Sequence, residues 1–283
     1  MSGGVVVTGA STGIGRACAL ELDALGFRVF AGVRREEDGE RLAKEASERL
    51  APVRIDVADG DSIEAAASRI GKEVGGRGLK GVVNNAGISV AGPLEFIPLD
   101  EVRKQMEVNF IGQLAVTQAF LPLLRQGGGR VVNMGSIGGR APAPFVGPYS
   151  ASKFAMEGLT DTLRQELRPW GIPVSIIEPG AIATPIWEKG SAAASELAEK
   201  LPPQAHELYG GAIDAMQAAT VRMNETGIPP ERVAKVVARA LTATRPRPRY
   251  LVGRDARMQL ALSRLLPTRV FDALVARILR LPR

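Results

Sequence analysis

Near the start of the chain a short apolar run, Val5-Val6-Val7, passes directly into Thr8-Gly9-Ala10-Ser11-Thr12-Gly13-Ile14-Gly15, and the helical pattern Arg16 to Leu25 follows. Strand, glycine-rich turn and helix in that order leave few folds open. Glycines at 9, 13 and 15 permit a tight turn in which backbone N–H groups and a helix N-terminus approach a pyrophosphate, whose charge suits the donors and dipole gathered there. The spacing is Gly-x-x-x-Gly-x-Gly, a variant of the Gly-x-Gly-x-x-Gly dinucleotide fingerprint. Alone, it is also compatible with a plain strand-to-helix connection. The rest of the chain decides.

That rest alternates. Arg28 to Gly32 reads as a strand, Val53 to Val57 as another carrying Asp56, and Ser62 to Val74 as a helix. Gly81 to Val83 is a strand delivering Asn84-Asn85-Ala86-Gly87; Leu99 to Leu124 is a long helix containing Asn109, with a disturbance expected near Pro122. Arg130 to Met134 is a strand leading to Gly135-Ser136, Tyr149 to Leu167 a helix closed by Pro169 and Gly171, and Val174 to Glu178 a strand ending in Pro179-Gly180. Glu231 to Thr242 is a helix and Arg249 to Val252 a last strand. Seven apolar runs separated by helices predict an α/β Rossmann-type doubly wound parallel sheet of seven strands, helices on both faces. Each distinctive polar cluster follows the C-terminal end of a strand, the edge where such sheets bind ligands.

One cluster carries chemistry. Tyr149 and Lys153 lie four positions apart, so on a helix both project from one face, and Ser136 precedes Tyr149 by 13 residues. A phenol of ordinary pKa, about 10, is a poor base at neutral pH, and a fixed cation beside it stabilises the phenolate. The pair therefore reads as an acid/base device, against the plainer reading of an exposed helix pair.

Composition removes other classes. One cysteine, Cys18, cannot form an internal disulfide; among Ala17, Ala19 and Leu20 it is expected to be small core packing. One histidine, His206, expected at the surface, builds neither a His-based metal cluster nor a Ser-His-Asp hydrolase with a histidine to spare, so no metal is expected. The start, Met1-Ser2-Gly3-Gly4, carries no basic leader and no 18-residue apolar run exists, from which a cytoplasmic protein is expected. The net charge of +6 is unevenly placed: Arg245 to Arg283 holds ten arginines and two acids, which leaves the body slightly negative. The main domain therefore offers no basic, aromatic-rich face for nucleic acid.

The second strand ends at Val33-Arg34-Arg35. In dinucleotide folds a carboxylate there binds the adenosine ribose, whereas an arginine accommodates a 2′-phosphate. The acid is missing, which favours NADP over NAD. The competing reading is a solvated charge run, with Glu36, Glu37 and Asp38 pairing with the arginines.

Thr8 to Gly15, Asn84-Asn85-Ala86-Gly87, Asn109, Ser136, Tyr149, Lys153 and Pro179-Gly180 with Thr184 together resemble the short-chain dehydrogenase/reductase family over roughly residues 4 to 253. The resemblance implies that Gly9, Ser11, Thr12, Gly13, Ile14 and Gly15 hold the cofactor phosphates. Arg34 falls where the family's NADP-preferring members place a basic residue. Asp56 and Val57 would flank the adenine, Asn84, Ala86 and Gly87 the adenine ribose side, and Pro179, Gly180, Ile182 and Thr184 the carboxamide. Asn109, Ser136, Tyr149 and Lys153 match the catalytic tetrad. Tyr149 would be the general acid/base, Ser136 would orient the substrate oxygen, Lys153 would lower the phenol pKa and hold the nicotinamide ribose, and Asn109 would hold a water.

Residues 1 to 255 are expected to form one catalytic domain with an insertion, 181 to 228, too long for a bare connection and more like a lid. Within it Tyr209, Ile213, Met216, Thr220 and Met223 recur at helical spacing, a stripe that suits core packing more than substrate cover. With Trp187, Pro142, Pro144, Phe145 and Val146 it offers an apolar lining, and the chain is similar to the family's hydroxysteroid and retinol dehydrogenase branch. A hydrophobic alcohol or ketone is the expected substrate. Residues 256 to 283 form a basic amphipathic extension: Val270, Phe271, Leu274, Val275, Ile278 and Leu279 make a stripe flanked by Arg269, Arg277 and Arg280. It either packs on the protein or touches an anionic membrane peripherally. The resemblance further implies a homodimer or homotetramer. A non-catalytic dinucleotide sensor or scaffold, or a lyase or epimerase using the nucleotide transiently, are the alternatives on the same fold.

Overall fold

The computed structural model describes residues 3–184, 186, 194–197, 199 and 202–278. Within them β1 (Gly4–Val7), β2 (Arg28–Val33), β3 (Leu50–Arg54), β4 (Leu79–Asn84), β5 (Arg130–Met134), β6 (Val174–Pro179) and β7 (Arg249–Val252) form one sheet in the order β3-β2-β1-β4-β5-β6-β7. Every neighbouring pair is parallel. Alternate residues of each strand enter opposite cores. Val5 and Val7 pack with Cys18 and Leu22 of α1 (Gly13–Ala24) and with Val233 and Val237, whereas Val6 packs with Ile70 of α3 (Gly60–Val74), Phe120 and Leu163. Both faces are covered, which is why these strands read as unbroken apolar runs rather than alternating ones. Cys18 is fully buried, and burial pushes its thiol well above the usual range; it is core packing, as expected. His206 is exposed.

Three elements differ from the sequence reading. β3 starts three residues earlier than expected and contains Pro52, tolerated because this edge strand pairs on one side only. Glu36–Ala43, read only as charges, is a helix, α2, with three acids in its first turn where the dipole favours them. The long helix is broken at Asn109 and not at Pro122: α4 (Leu99–Met106) and α5 (Gly112–Gly127) are joined by a π-helical turn, Glu107–Ile111. The Asn109 side chain holds that widened turn by bonding outward to Ile88 and Ser152, whereas Pro122 is accommodated inside α5.

The helix α6 (Gly147–Glu166) carries Tyr149 and Lys153; α7 (Pro203–Thr226) lies in the insertion, and α8 (Pro230–Thr242) packs on α1. The two ends of the insertion are joined by a parallel bridge between Ile182 and Ile228. α7 buries Ala205, Ala212 and Ala219, one small residue every two turns, while Tyr209, Ile213, Met216, Thr220 and Met223 are only partly buried. The expected core stripe is thus the flank of the helix, since the alanines allow closer approach. Trp187, Leu279 and Arg280 lie outside the described residues. Of the basic extension, α9 (Arg254–Leu265) buries Ala256, and α10 (Thr268–Ile278) buries nothing fully.

Candidate active site

A cleft of about 790 Å³ opens where the strand order reverses, between β1 and β4. Gly9, Ser11, Thr12, Gly13 and Ile14 line it. Gly9 has φ 64°, and a Cβ there would lie 2.8 Å from the Ala86 Cα. Only glycine fits both the conformation and the space. Gly15 stands behind the lining rather than in it: a Cβ would meet the Gly9 carbonyl oxygen at 2.1 Å and the Asn85 amide nitrogen at 2.4 Å. Its part is to let α1 close on its own turn.

The turn is cross-linked to the loop after β4. Thr8 Oγ1 accepts from the Asn85 and Ala86 backbone N–H groups at 2.9 and 3.0 Å, and Asn85 Nδ2 donates to the carbonyls of Thr8 and Gly9 at 3.0 and 3.2 Å. The sequence reading gave Thr8 and Asn85 no role of their own. It placed Asn84 at the cofactor instead. The structure turns Asn84 inward, its Nδ2 donating to Thr117 and Asn133 at 2.8 Å each, and brings Asn85, Ala86 and Gly87 to the cleft. Neighbouring residues at a strand end face opposite ways.

Arg34, Asp56 and Val57 line the same cleft. Arg35 bonds Asp38 of α2 at 3.2 Å, and Arg41 pairs with the same carboxylate. Arg34 is exposed and makes no ion pair among the described residues. The charge run therefore binds one arginine and leaves the other without an ion pair among the described residues.

Ser136 follows β5 and caps a 3-10 turn, Ile137–Gly139, its Oγ accepting from the Gly138 N–H at 3.1 Å. Gly138 fits between the catalytic candidates: a Cβ on it would lie 3.4 Å from Ser136 Oγ and 3.5 Å from Tyr149 Cε1. Lys153 donates to the Met134 carbonyl at 2.8 Å, with Nζ 5.6 Å from the centroid of the Tyr149 ring. Burial raises the Tyr149 pKa, and the hydroxyl of Ser136 opposes this in part. Burial also lowers Lys153 to about 8. The net direction for the phenol is opposite to the expected one, because desolvation outweighs its neighbours here. Burial thus favours the neutral phenol at Tyr149.

Asn109 is buried beside the cleft; its Oδ1 accepts from Ile88 N–H at 2.8 Å, and its Nδ2 donates to the Ile88 carbonyl at 3.0 Å and to Ser152 Oγ at 3.2 Å. Ser152 in turn donates to the Tyr149 carbonyl at 2.7 Å. The side chain thus links the loop after β4 to the Tyr149 helix. Pro179, Gly180, Ile182 and Thr184 line the far end, and Asp255 of α9 accepts from the Ala181 N–H at 2.6 Å, a contact across 74 residues that no local pattern announces. Glu101 and Lys104 also line the cleft and pair with each other at 3.4 Å. Outside the cleft lining, the Tyr209 hydroxyl donates to Glu95 at 2.7 Å, and its ring meets Phe96 and Phe145 edge-on with centroids 5.9 and 6.2 Å away.

Comparison with known proteins agrees with this arrangement. Residues 4–195 match the family model described as short chain dehydrogenase. Mouse retinol dehydrogenase 5 (Mus musculus) is 38% identical over 98% of this chain and 89% of its own length, and bovine 17-beta-hydroxysteroid dehydrogenase type 6 (Bos taurus) is 37% identical over 96% and 87%. The crystal structure of a short chain dehydrogenase from Burkholderia cenocepacia in complex with NADP superposes with a TM-score of 0.72 at 28% identity, covering 100% of this chain and 98% of that one. With the glycine turn, the switch-point cleft and these matches, the chain belongs to the short-chain dehydrogenase/reductase family of NAD(P)-dependent oxidoreductases and is similar, within it, to the retinol and hydroxysteroid dehydrogenases.

Proposed function

We propose that this protein interconverts a hydrophobic alcohol and its ketone or aldehyde with NADP(H), using Ser136, Tyr149, Lys153 and Asn109. The observation that carries the reading is the meeting of Ser136, half-buried Tyr149 and buried Lys153 in one cleft with the glycine turn and Arg34. The residues fit a dinucleotide: Gly9 and Gly13 line the cleft without a side chain, the N-terminus of α1 adjoins it, and Arg34, which makes no ion pair among the described residues, is a cation in the lining that a 2′-phosphate could use. NADP is favoured over NAD on that last ground, in keeping with the NADP found in the B. cenocepacia relative.

When bound, a nicotinamide nucleotide supplies or accepts the hydride. The protein handles the proton and the geometry. In reduction, Tyr149 donates its phenolic proton to the carbonyl oxygen as that oxygen gains charge, and Ser136 donates a hydrogen bond to the same atom. Lys153, anchored on Met134, supplies a nearby positive charge that stabilises the phenolate left behind. Asn109 fixes the Tyr149 helix against the loop after β4. In oxidation the same groups act in reverse.

The apolar substrate class is supported by Ile88, Val90, Val108 and Ile186, which line the cleft, and by the paired Glu101 and Lys104. The named activities of the mouse and bovine relatives, on retinol and on a hydroxysteroid, point the same way. Residues 1–255 act as one catalytic unit with its insertion. Assembly as a homodimer or homotetramer is supported by Ile111 and Phe154, large apolar side chains left about half exposed near α5 and on α6. A peripheral anionic-membrane contact of α10 is supported by exposed Val270 and Ile278 beside Arg269 and Arg277. No described helix is long and apolar enough to cross a membrane. The test is a parallel screen of steroid, retinoid and aliphatic carbonyl compounds with NADPH and NADH. Consumption of NADPH with a lipid-like ketone is expected; a sugar or polyol turned over faster than any of them overturns the substrate class.

A further inference from the structure

One turn beyond Lys153 on α6, Glu157 meets the end of β6, where Glu178 directly precedes Pro179 and Gly180. Two arginines close on this pair. Arg140, which follows the Ser136 turn, donates from Nη1 to Glu178 Oε1 at 2.9 Å and stands 3.9 Å from Glu157 Oε2. Arg249, the first residue of β7, lies 3.1 Å from Glu157 Oε2 and 3.5 Å from Glu178 Oε1, and its Nη2 also holds Asp161 at 2.6 Å. Asp161 in turn pairs with Arg164 at 3.0 Å. Lys153 points elsewhere, to the Met134 carbonyl. These are the charged groups that face the pair from α6, β7 and the Ser136 turn.

The arginine contacts fall on one oxygen of each carboxyl. The other two, Glu157 Oε1 and Glu178 Oε2, are shielded from solvent and have no hydrogen-bond partner. The two carboxyls lie within hydrogen-bonding reach of each other. If both were ionised, two buried anionic oxygens would remain without a donor, an arrangement that desolvation and repulsion both oppose. Arg249 divides its charge with Asp161 and cannot fully offset it. A single proton turns one carboxyl into a donor and leaves the other an acceptor, so that a hydrogen bond replaces the repulsion between them.

We propose that Glu157 and Glu178 share one proton, and that this carboxyl pair, clamped by Arg140 and Arg249, is a positioning device for the turn bearing Ser136. None of the four lines the cleft. Each instead sits on an element that delivers something to it: Arg140 on the Ser136 turn, Glu157 on the helix of Tyr149 and Lys153, Glu178 on the strand leading to Pro179 and Gly180. Arg249 ties that strand to β7. Burial, and then the neighbouring Glu178, push Glu157 up to about 7. Loss of the shared proton above that pH restores the repulsion and pushes the two carboxyls apart, shifting α6 and the end of β6, and with them the Arg140 that bridges to the Ser136 turn. The functional half rests on the catalytic reading of Ser136; the proton does not.

Infrared spectra of the full chain below pH about 7, in ordinary and heavy water, read the proton directly. The expected result is an isotope-sensitive carboxylic acid carbonyl band that titrates away as pH passes about 7 and is missing from both Glu157→Gln and Glu178→Gln. A wild-type chain without such a band, or a band retained by both variants, overturns the proposal; the wild-type titration decides even where a variant fails to fold. The positioning half is read from turnover. Wild-type kcat should fall through a step near pH 7 that Glu157→Gln lacks, and Arg140→Gln should lower kcat about tenfold to a hundredfold with NADPH affinity unaltered. Equal pH profiles for wild type and Glu157→Gln, or an Arg140→Gln loss confined to NADPH binding, refute it. A chain inactive on every carbonyl tested would overturn the catalytic reading while leaving the band to decide the shared proton.

Discussion

Lys153 reaches from α6 to the Met134 carbonyl, 2.8 Å away, two residues before Ser136. This bond fixes the ammonium relative to the end of β5, so the cation, the serine and the Tyr149 phenol keep their places together. Its burial leaves Lys153 charged only below about pH 8, against 10.5 for an ordinary lysine. Two opposite slopes follow. Reductive turnover should fall as pH rises through about 8, because the charge that stabilises the tyrosinate is lost. The contribution of this group to folding should rise between about 8 and 10.5, since the unfolded chain then binds the extra proton. A kcat profile and denaturant melts over the same range check both; Lys153→Met should abolish both slopes.

Tyr149→Phe removes the proton donor and leaves the ring. Nucleotide affinity, read by fluorescence quenching, should stay within about twofold, whereas turnover should drop by roughly 10² to 10⁴, the range of general acid catalysis. Undiminished turnover would remove Tyr149 from the mechanism.

The position of Gly15 makes a sharper test of the cofactor turn than the glycines lining it. A methyl group on residue 15 would stand 2.1 Å from the Gly9 carbonyl oxygen, and backbone yields less readily than a side chain. Gly15→Ala should lower stability by about 1–3 kcal/mol, as overpacking does, and weaken nucleotide binding in parallel. Thermal melts with and without NADPH measure both effects.

How much of this was legible beforehand depends on how local the signal is. The Val5–Val7 run, the turn after it and the four-residue spacing of Tyr149 and Lys153 are local, and each lies where the sequence put it. Phase is harder. Asn84 and Asn85 are adjacent and chemically identical, and only the strand's orientation shows that Asn85 reaches the cleft while Asn84 bonds Asn133. Pro122 looked like the natural break in the long helix, yet the π turn lies at Asn109, because three side-chain bonds to Ile88 and Ser152 reward it there. Asp255 and Ala181, 74 residues apart, meet only once the sheet is closed. Such contacts have no periodicity to read.

Arg34 and Arg35 look alike in sequence and separate in structure. Both line the cleft, but Arg35 pairs with Asp38 whereas Arg34 makes no ion pair among the described residues. Arg34→Ala should therefore weaken NADPH about tenfold to a hundredfold, the worth of a charge-assisted hydrogen bond or two, and leave NADH nearly unchanged. Arg35→Ala should act mainly through α2 and alter both cofactors alike. Paired Michaelis constants for the two nucleotides decide; an equal loss of NADPH and NADH in Arg34→Ala would remove the NADP assignment.

Tyr209 ties the helix of the insertion to the body of the protein. Its hydroxyl bonds Glu95, its ring meets Phe96 and Phe145, and Phe145 holds a φ of 64°, a conformation that a bulky side chain adopts only when its surroundings impose it. Part of that imposition is the bond from the Gly92 N–H to the Phe145 carbonyl at 2.7 Å. The bond between Tyr209 and Glu95 is exposed, so its own worth is small, and Tyr209→Phe should change KM for an apolar ketone by no more than about threefold. Tyr209→Ala also removes both ring contacts, each worth about 0.5–1.5 kcal/mol. KM should then rise about tenfold through a loosened insertion, with NADPH affinity unaffected because Tyr209 does not line the cleft that holds the glycine turn. Equal effects of Phe and Ala would mean that the hydroxyl, not the aromatic cluster, fastens α7.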